Sequence, residues 1–258
     1  MKVGFCQFDI KYKDVIANLE TIVTMLNEVD LDLVLLPELA LTGYYFENKE
    51  QLMQLSSDTI NGNVIDRLTQ VAALKEMTII IGLAEVSGND LYNTAYIINR
   101  NGVVGKHRKM HLTNNETIFK AGNQVEVFEV DGIKIGIAIC FDTWFPEIFR
   151  VLSNKGADII CCPANFGGPW TLDVVKVRAL ENSIPVVLSN RLGSEIIKGE
   201  KDYFRGESMV IDGFGNLLIK AGDQPYVGTV DIDLKAYSRN KSLICDEMIN
   251  EKNKYDKL

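Results

Sequence analysis

The stretch Ile133-Lys134-Ile135-Gly136-Ile137-Ala138-Ile139-Cys140-Phe141-Asp142-Thr143-Trp144-Phe145-Pro146-Glu147 decides how this chain is read. Its first half places β-branched residues in near alternation, the pattern of a buried strand. Phe145, Ile148, Phe149 and Leu152 then recur at helical spacing. Pro146 falls where a first helical turn tolerates a missing N–H. Cys140 is therefore expected at a strand-to-helix corner. Such a corner holds a side chain at the carboxyl end of a sheet, beside the partial positive charge of a helix start, and both features favour a thiolate. A free cysteine is also commonly a small buried hydrophobe, so this stretch alone leaves two readings open.

Working outward, residues 2–8 alternate as a strand, 14–29 carry apolar residues at helical spacing, and 31–36 form an apolar run of strand length that Pro37 ends. Residues 63–76 predict a helix. Residues 78–83, 92–99 and 103–106 predict strands, with Asn101-Gly102 as a hairpin signal between the last two. Strand patterns return at 125–130 and 133–139, separated by Asp131-Gly132. Beyond the corner, 158–162 and 185–189 predict strands around a helix at 171–182, and 206–211, 216–220 and 226–231 predict further strands. Strands and helices alternate early and hairpins cluster later. The expectation is an α/β layered sandwich, built from a mixed sheet or two sheets with helices on their outer faces. No Pro/Ser-rich linker divides the chain, so one domain is expected over residues 1–258, with the charged tail from about 240 lying on the surface or against a partner.

Hydrophobic residues make up 47% of the 258 positions and charged residues 24%, enough apolar material for a sizeable core. Lys plus Arg is 27 and Asp plus Glu is 35, a net charge of -8 without a basic run. Nucleic acid and anionic membrane surfaces are therefore poor partners. No apolar run approaches the ~20 residues of a membrane helix. The start, MKVGFCQFDI, enters a strand pattern rather than the apolar core of a signal peptide. The cysteines Cys6, Cys140, Cys161, Cys162 and Cys245 are odd in number, which suggests reduced thiols in the cytoplasm. With no Cys-x-x-Cys pair and only His107 and His111 as histidines, no metal site is expected.

Several side chains stand out for chemistry. Glu38 directly follows an apolar strand, where a carboxylate is costly without a partner. It is either a cap or a general base whose pKa desolvation raises. Lys109 closes the run Lys106-His107-Arg108-Lys109, either a solvated turn or an inward cation for a tetrahedral oxyanion. Glu116 has no local reason to be buried. Asn165, Phe166 and Trp170 follow a strand end, where α/β folds place binding loops. They are expected near a substrate, with a core aromatic as the alternative for Trp170. Tyr44 after Gly43 is a pocket wall or a plain turn residue. Asp142 and Glu147 are expected to support the corner, Arg178 and Glu181 to pair on a helix, and Cys161 and Cys162 to pack in a strand. A histidine is the rival base for Cys140.

Taken in order, Pro37-Glu38, then Arg108-Lys109-Met110-His111-Leu112, then Glu116 with Phe119 and Gly122, then Cys140-Phe141-Asp142 with Phe145-Pro146-Glu147, then Arg178-Ala179 with Glu181-Asn182 resemble the nitrilase superfamily of carbon–nitrogen hydrolases. The resemblance runs from about residue 2 to about residue 235. It implies a four-layer α-β-β-α sandwich with two mixed sheets. It further implies Glu38 as general base, Lys109 as oxyanion cation, Cys140 as nucleophile, Glu116 as the glutamate that positions the lysine and the substrate, and the Phe141 N–H as a second oxyanion donor. The implied activity is hydrolysis of a small amide through a thioester, with no cofactor. The implied assembly is a homodimer through the helices near Cys140 and Trp170. Nitrile hydrolysis usually goes with Trp-Glu after the cysteine, and Phe141-Asp142 depart from that. An N-carbamoyl amide hydrolase and a catalytically idle, ligand-binding member of the fold are the alternatives. Arg191 and Arg205 are the candidates to receive a substrate carboxylate.

Overall fold

The computed structural model describes residues 1–60 and 63–237. In chain order they form β1 (Lys2–Gln7), α1 (Val15–Asn27), β2 (Leu33–Leu35), α2 (Lys49–Ile60), α3 (Val64–Lys75), β3 (Thr78–Ser87), β4 (Asp90–Asn99), β5 (Gly102–Arg108), β6 (Val127–Val130), β7 (Ile133–Ile137), α4 (Pro146–Asn154), β8 (Ile159–Ala164), α5 (Thr171–Asn182), β9 (Val186–Asn190), β10 (Leu192–Ile197), β11 (Glu200–Arg205), β12 (Met209–Ile211), β13 (Leu217–Lys220) and β14 (Tyr226–Asp231). Two sheets of six strands result, ordered β14-β1-β2-β3-β4-β5 and β13-β12-β9-β8-β7-β6, with β10 and β11 as a separate hairpin. Each sheet has a parallel centre, β1-β2-β3 or β7-β8-β9, and antiparallel edges.

The alternation in the sequence is burial on two faces. Val3, Phe5, Leu33, Leu35, Ile80, Ala95 and Ile97 point into a core that they share with Ile135, Ile137 and Val187 of the second sheet. Their neighbours Cys6, Val34, Ile79, Ile81, Tyr96 and Ile98 enter another core with Ile22 and Leu26 of α1 and Leu68 and Val71 of α3. Ile148, Phe149 and Leu152 of α4 and Val175 and Ala179 of α5 extend the first core from the second sheet. Parallel strands need crossover helices, and those helices cover the outer faces. The expected α-β-β-α sandwich with two mixed sheets is what forms. Among the described residues no helix is long and apolar enough to cross a membrane.

The departures have local causes. The strand expected over 133–139 stops at Ile137, because Cys140–Trp144 wind into a 3-10 turn before α4. The strand expected from residue 206 begins at Met209, since Gly206 (φ 68°) and Glu207 (φ 58°) are left-handed. Helix α2 is unforeseen because its apolar residues are sparse. Its one signal is Asn48, whose Oδ1 accepts the Gln51 N–H at 3.0 Å. The segment 191–205, where the sequence pattern predicts no element, contains the β10–β11 hairpin. Its turn is Lys198-Gly199, both at positive φ, a geometry that Asn-Gly would have announced. The tail expected on the surface or against a partner lies outside the described residues.

The parallel strands of both sheets end on one side, and there the chain emerges as Leu36-Pro37-Glu38 after β2, Cys140 after β7 and Asn165 after β8. Gly82 of β3 docks the first of these. The Ala40 N–H reaches the Gly82 carbonyl at 2.9 Å, and the Gly82 N–H reaches that of Pro37 at 3.1 Å. A Cβ at residue 82 would stand 2.5 Å from the Glu38 Cα and 2.9 Å from the Leu39 nitrogen. Backbone cannot yield as a side chain can, so Gly82→Ala is expected to lower stability by about 1–3 kcal/mol, the usual cost of overpacking. A urea unfolding midpoint equal to wild type would show that the approach is not tight.

Candidate active site

Glu38 leaves β2 into a segment strained at Leu39 (φ 48°) and turned at Gly43 (φ 86°). Lys109 follows β5, with its N–H on the Asn93 carbonyl (2.8 Å) and its own carbonyl taken by Gly122 (2.7 Å). Glu116 sits in a tight turn between the Thr113 carbonyl and the Phe119 N–H, both at 3.0 Å. These segments bring three charged side chains together, each 0 % exposed. The Lys109 ammonium donates to Glu38 Oε1 and to both oxygens of Glu116, every distance 2.8 Å. Asn93 Nδ2 donates to Glu38 Oε1 at 2.6 Å and to Glu116 Oε1 at 3.0 Å. The Thr113 N–H completes Glu116 at 2.9 Å. Glu38 Oε2 is buried and has no donor.

Burial, reinforced by the neighbouring Glu116 carboxylate, lifts the Glu38 pKa against the pull of Lys109. Burial works against the Lys109 ammonium, but Glu38, the Cys140 sulfur and Glu116 outweigh it and hold its pKa well above the ordinary lysine value. The group stays charged because two carboxylates replace its lost water.

Cys140 opens the 3-10 turn at φ 47°, a left-handed conformation that a non-glycine residue adopts only when its surroundings impose it. Asp142 supplies the constraint. Its buried carboxylate accepts the Ile139 N–H (3.0 Å), the His111 N–H (2.9 Å) and His111 Nδ1 (2.8 Å). Arg178 props the turn from α5 through the Thr143 carbonyl (3.0 Å) and pairs with Glu181 at 2.9 Å. The expected thiolate is corrected. Burial and then the Glu38 charge push the Cys140 thiol well above its ordinary value, beyond what Lys109 and the Asn165 N–H pull back. The resting group is a thiol that needs a base. The Phe141 N–H lies in the first turn, where a helix offers it no partner. The arrangement therefore holds a thiol, an open carboxylate oxygen, an ammonium and a free backbone donor in one dry space.

Of the other expected residues, Tyr44 stands beside the cluster. It is buried, its hydroxyl 2.8 Å from Thr113 Oγ1, and its pKa is pushed up first by burial and then by Glu116. Asn165 is buried with both side-chain polar atoms unpartnered. Phe166 is buried and locked to the Asn190 carboxamide at 2.7 and 3.1 Å. Trp170 is 67% exposed at the start of α5 and is not a core aromatic. Glu147 is exposed in the first turn of α4. Cys161 and Cys162 are buried within β8. His111 stacks on Phe145 at 3.6 Å between centroids, and His107 Nε2 lies 3.8 Å from Asp142 Oδ2. Both histidines thus face Asp142. Asn93, Thr113 and Glu195 went unread. An asparagine inside the apolar run Leu91-Tyr92-Asn93-Thr94-Ala95 was a usable signal, because a buried amide demands partners.

A family model described as carbon-nitrogen hydrolase matches residues 2–241. A nitrilase of Pyrococcus abyssi is 37% identical over 82% of this chain and 80% of its own. An (R)-stereoselective amidase of a Pseudomonas species is 30% identical over 85% and 81%. Among solved structures, a carbon-nitrogen hydrolase from Helicobacter pylori G27 superposes with a TM-score of 0.86 at 22% identity, covering 94% of this chain and 92% of that one, which speaks for the fold.

Arg191 is not waiting for a substrate carboxylate. It is fully buried, ion-paired with Glu195, and bonded to the carbonyls of Ile10 (2.6 Å) and Leu192 (3.0 Å). Glu195 also accepts the N–H groups of Tyr44 (3.0 Å) and Tyr45 (2.9 Å), so the hairpin grips the segment that carries Glu38. Arg205 turns its Nε to Glu207 at 2.5 Å. Glu195→Ala leaves the buried guanidinium with only the longer Asp9 ion pair at 3.8 Å, and two amides unpaired. It is expected to cost about 3–5 kcal/mol. A urea-unfolding stability within about 0.5 kcal/mol of wild type, the range of substitutions on an open surface, would contradict the clamp.

Proposed function

The chain belongs to the carbon-nitrogen hydrolase family, and we propose that it hydrolyses a small amide through a thioester on Cys140. The observation that carries this reading is the buried Lys109 between two carboxylates, with one Glu38 oxygen left without a donor. Cys140 attacks the amide carbonyl while Glu38 takes the thiol proton. The oxyanion meets the Lys109 ammonium and the Phe141 N–H. Glu38 returns the proton to nitrogen, the C–N bond breaks, and ammonia or an amine leaves. Water then gives a proton to Glu38 and attacks the thioester, and the carboxylic acid departs as the thiol is restored. Glu116 holds Lys109 in place throughout.

Glu38 is favoured over a histidine as base because His107 and His111 both face Asp142. Phe141-Asp142 in place of Trp-Glu favours an amide over a nitrile. An acyl group without a carboxylate suits the site, since Arg191 and Arg205 are both engaged. Tyr44, Asn165 and Phe166 form its walls in this reading, with Trp170 at the rim. A homodimer fits the exposed Trp144, Val151, Val177 and Leu180 on and beside α4 and α5.

Ammonia release from small aliphatic amides, their nitriles and their N-carbamoyl counterparts tests the reaction. Amides are expected to be the best substrates, Cys140→Ala to be inert, and Glu38→Gln to lose about 10²–10⁴-fold in kcat/KM. A base must be ionised, and the Glu38 pKa is raised from 4.5. Activity is therefore expected to fall as pH drops through a value above 4.5. Faster turnover of nitriles, or equal turnover by Cys140→Ala, would refute the assignment. Light scattering at micromolar concentration is expected to give twice the chain mass, and a monomer would count against the dimer.

A further inference from the structure

Asn93 is the uncharged member of the buried cluster and touches Glu38, Glu116 and Lys109. It is fully buried in β4. Its Nδ2 places N–H donors on Glu38 Oε1 (2.6 Å) and Glu116 Oε1 (3.0 Å). Its carbonyl takes the Lys109 N–H at 2.8 Å, fixing where that side chain begins. Both donors to Glu38, Asn93 and Lys109, fall on Oε1. Oε2 receives none. A carboxylate pinned by one oxygen keeps the other for a proton, and the undonated oxygen is the more basic.

We propose that Asn93 is a positioning residue that pins Glu38 by Oε1 and so presents Oε2 to the Cys140 thiol. The proposal rests on the reading of Glu38 as the base. A neutral donor suits this task better than a charged one. The cluster holds two carboxylates and one ammonium, and a second cation would depress the basicity that proton transfer requires. A side chain without donors would leave Glu38 to bear the Glu116 repulsion with Lys109 alone. Five titratable or charged groups act on Glu38 or on its immediate surroundings: Lys109 after β5, Glu116 in its turn, Cys140 at the corner, and Tyr44 and Arg191 from the clamped segment and hairpin. Asn93 donates both to Glu38 and to Glu116, the one carboxylate among them.

The test uses alkylation of Cys140 by iodoacetamide, followed by mass spectrometry of the Cys140 peptide across pH, because it needs no knowledge of the substrate. Wild type is expected to react along an acid limb set by Glu38. Asn93→Leu removes the donor at similar size and should move that limb upward by about one pH unit, with a slower plateau. Asn93→Ser keeps a short hydroxyl donor and should fall between the two. A folded Asn93→Leu with an unmoved limb overturns the proposal. Should that variant fail to fold, the side-chain amide resonance of Asn93 in wild type, labelled with ¹⁵N-asparagine, decides. It is expected to shift with the same midpoint as the limb, and a resonance that stays fixed across the limb overturns the proposal. Glu38→Gln separates the two levels. If its Cys140 reacts along the wild-type profile, the base assignment itself fails, whatever Asn93 does.

Discussion

A single ammonium buried between two carboxylates is the constraint on which the rest of the molecule depends. Lys109, Glu38 and Glu116 have no access to water, and each ion so placed would cost several kcal/mol without partners. The partners come from the turn after β2, the end of β5 and the turn at Glu116, so the cluster forms only when the first sheet and its loops are complete. One cation against two anions leaves the site short of positive charge. Burial first, and that shortage beside it, keep Glu38 basic and the thiol of Cys140 protonated at rest, and the shortage gives the neutral donors Asn93 and Thr113 their importance.

Rigidity around the cluster is obtained from strained or tightly docked backbone. Leu39 and Cys140 are both left-handed without being glycine, and both stand where a parallel strand gives way to a loop. Each is over-determined by its neighbours: the first segment by Gly82 and the Glu195 carboxylate, the second by Asp142 and Arg178. Such strain is tolerated where hydrogen bonds leave the chain no alternative path. The Arg191–Glu195 pair extends the same principle, since a hairpin remote in sequence holds the segment that delivers Glu38.

The apolar architecture was open to reading because its signal is local. Alternation along 2–8, 31–36 and 92–99 states that both faces of a sheet are covered, and helical spacing at 14–29 and 63–76 supplies the cover. Elements with weak local patterns escaped. Helix α2 and the β10–β11 hairpin owe their form to packing and to a turn with two left-handed residues. The thiolate expected at Cys140 failed for a related reason. A helix start lies in the sequence, but the depth of burial and the Glu38 charge that acts on the sulfur do not.

What the amino-acid order determined by itself is the succession of strands and helices, the corner that carries Cys140, and the improbable placement of Glu38 just after an apolar strand. Periodicity and turn chemistry act over a few residues, so a chain states them directly. What only the folded molecule decided is which polar groups meet: Asn93 with two carboxylates, Thr113 with Glu116, and Arg191 with Glu195 rather than with a ligand. Those choices are made across 55 residues for Asn93 and Glu38 and across 150 for Glu195 and Tyr45. At such separations partnership depends on the packing of two sheets, and no local pattern encodes it.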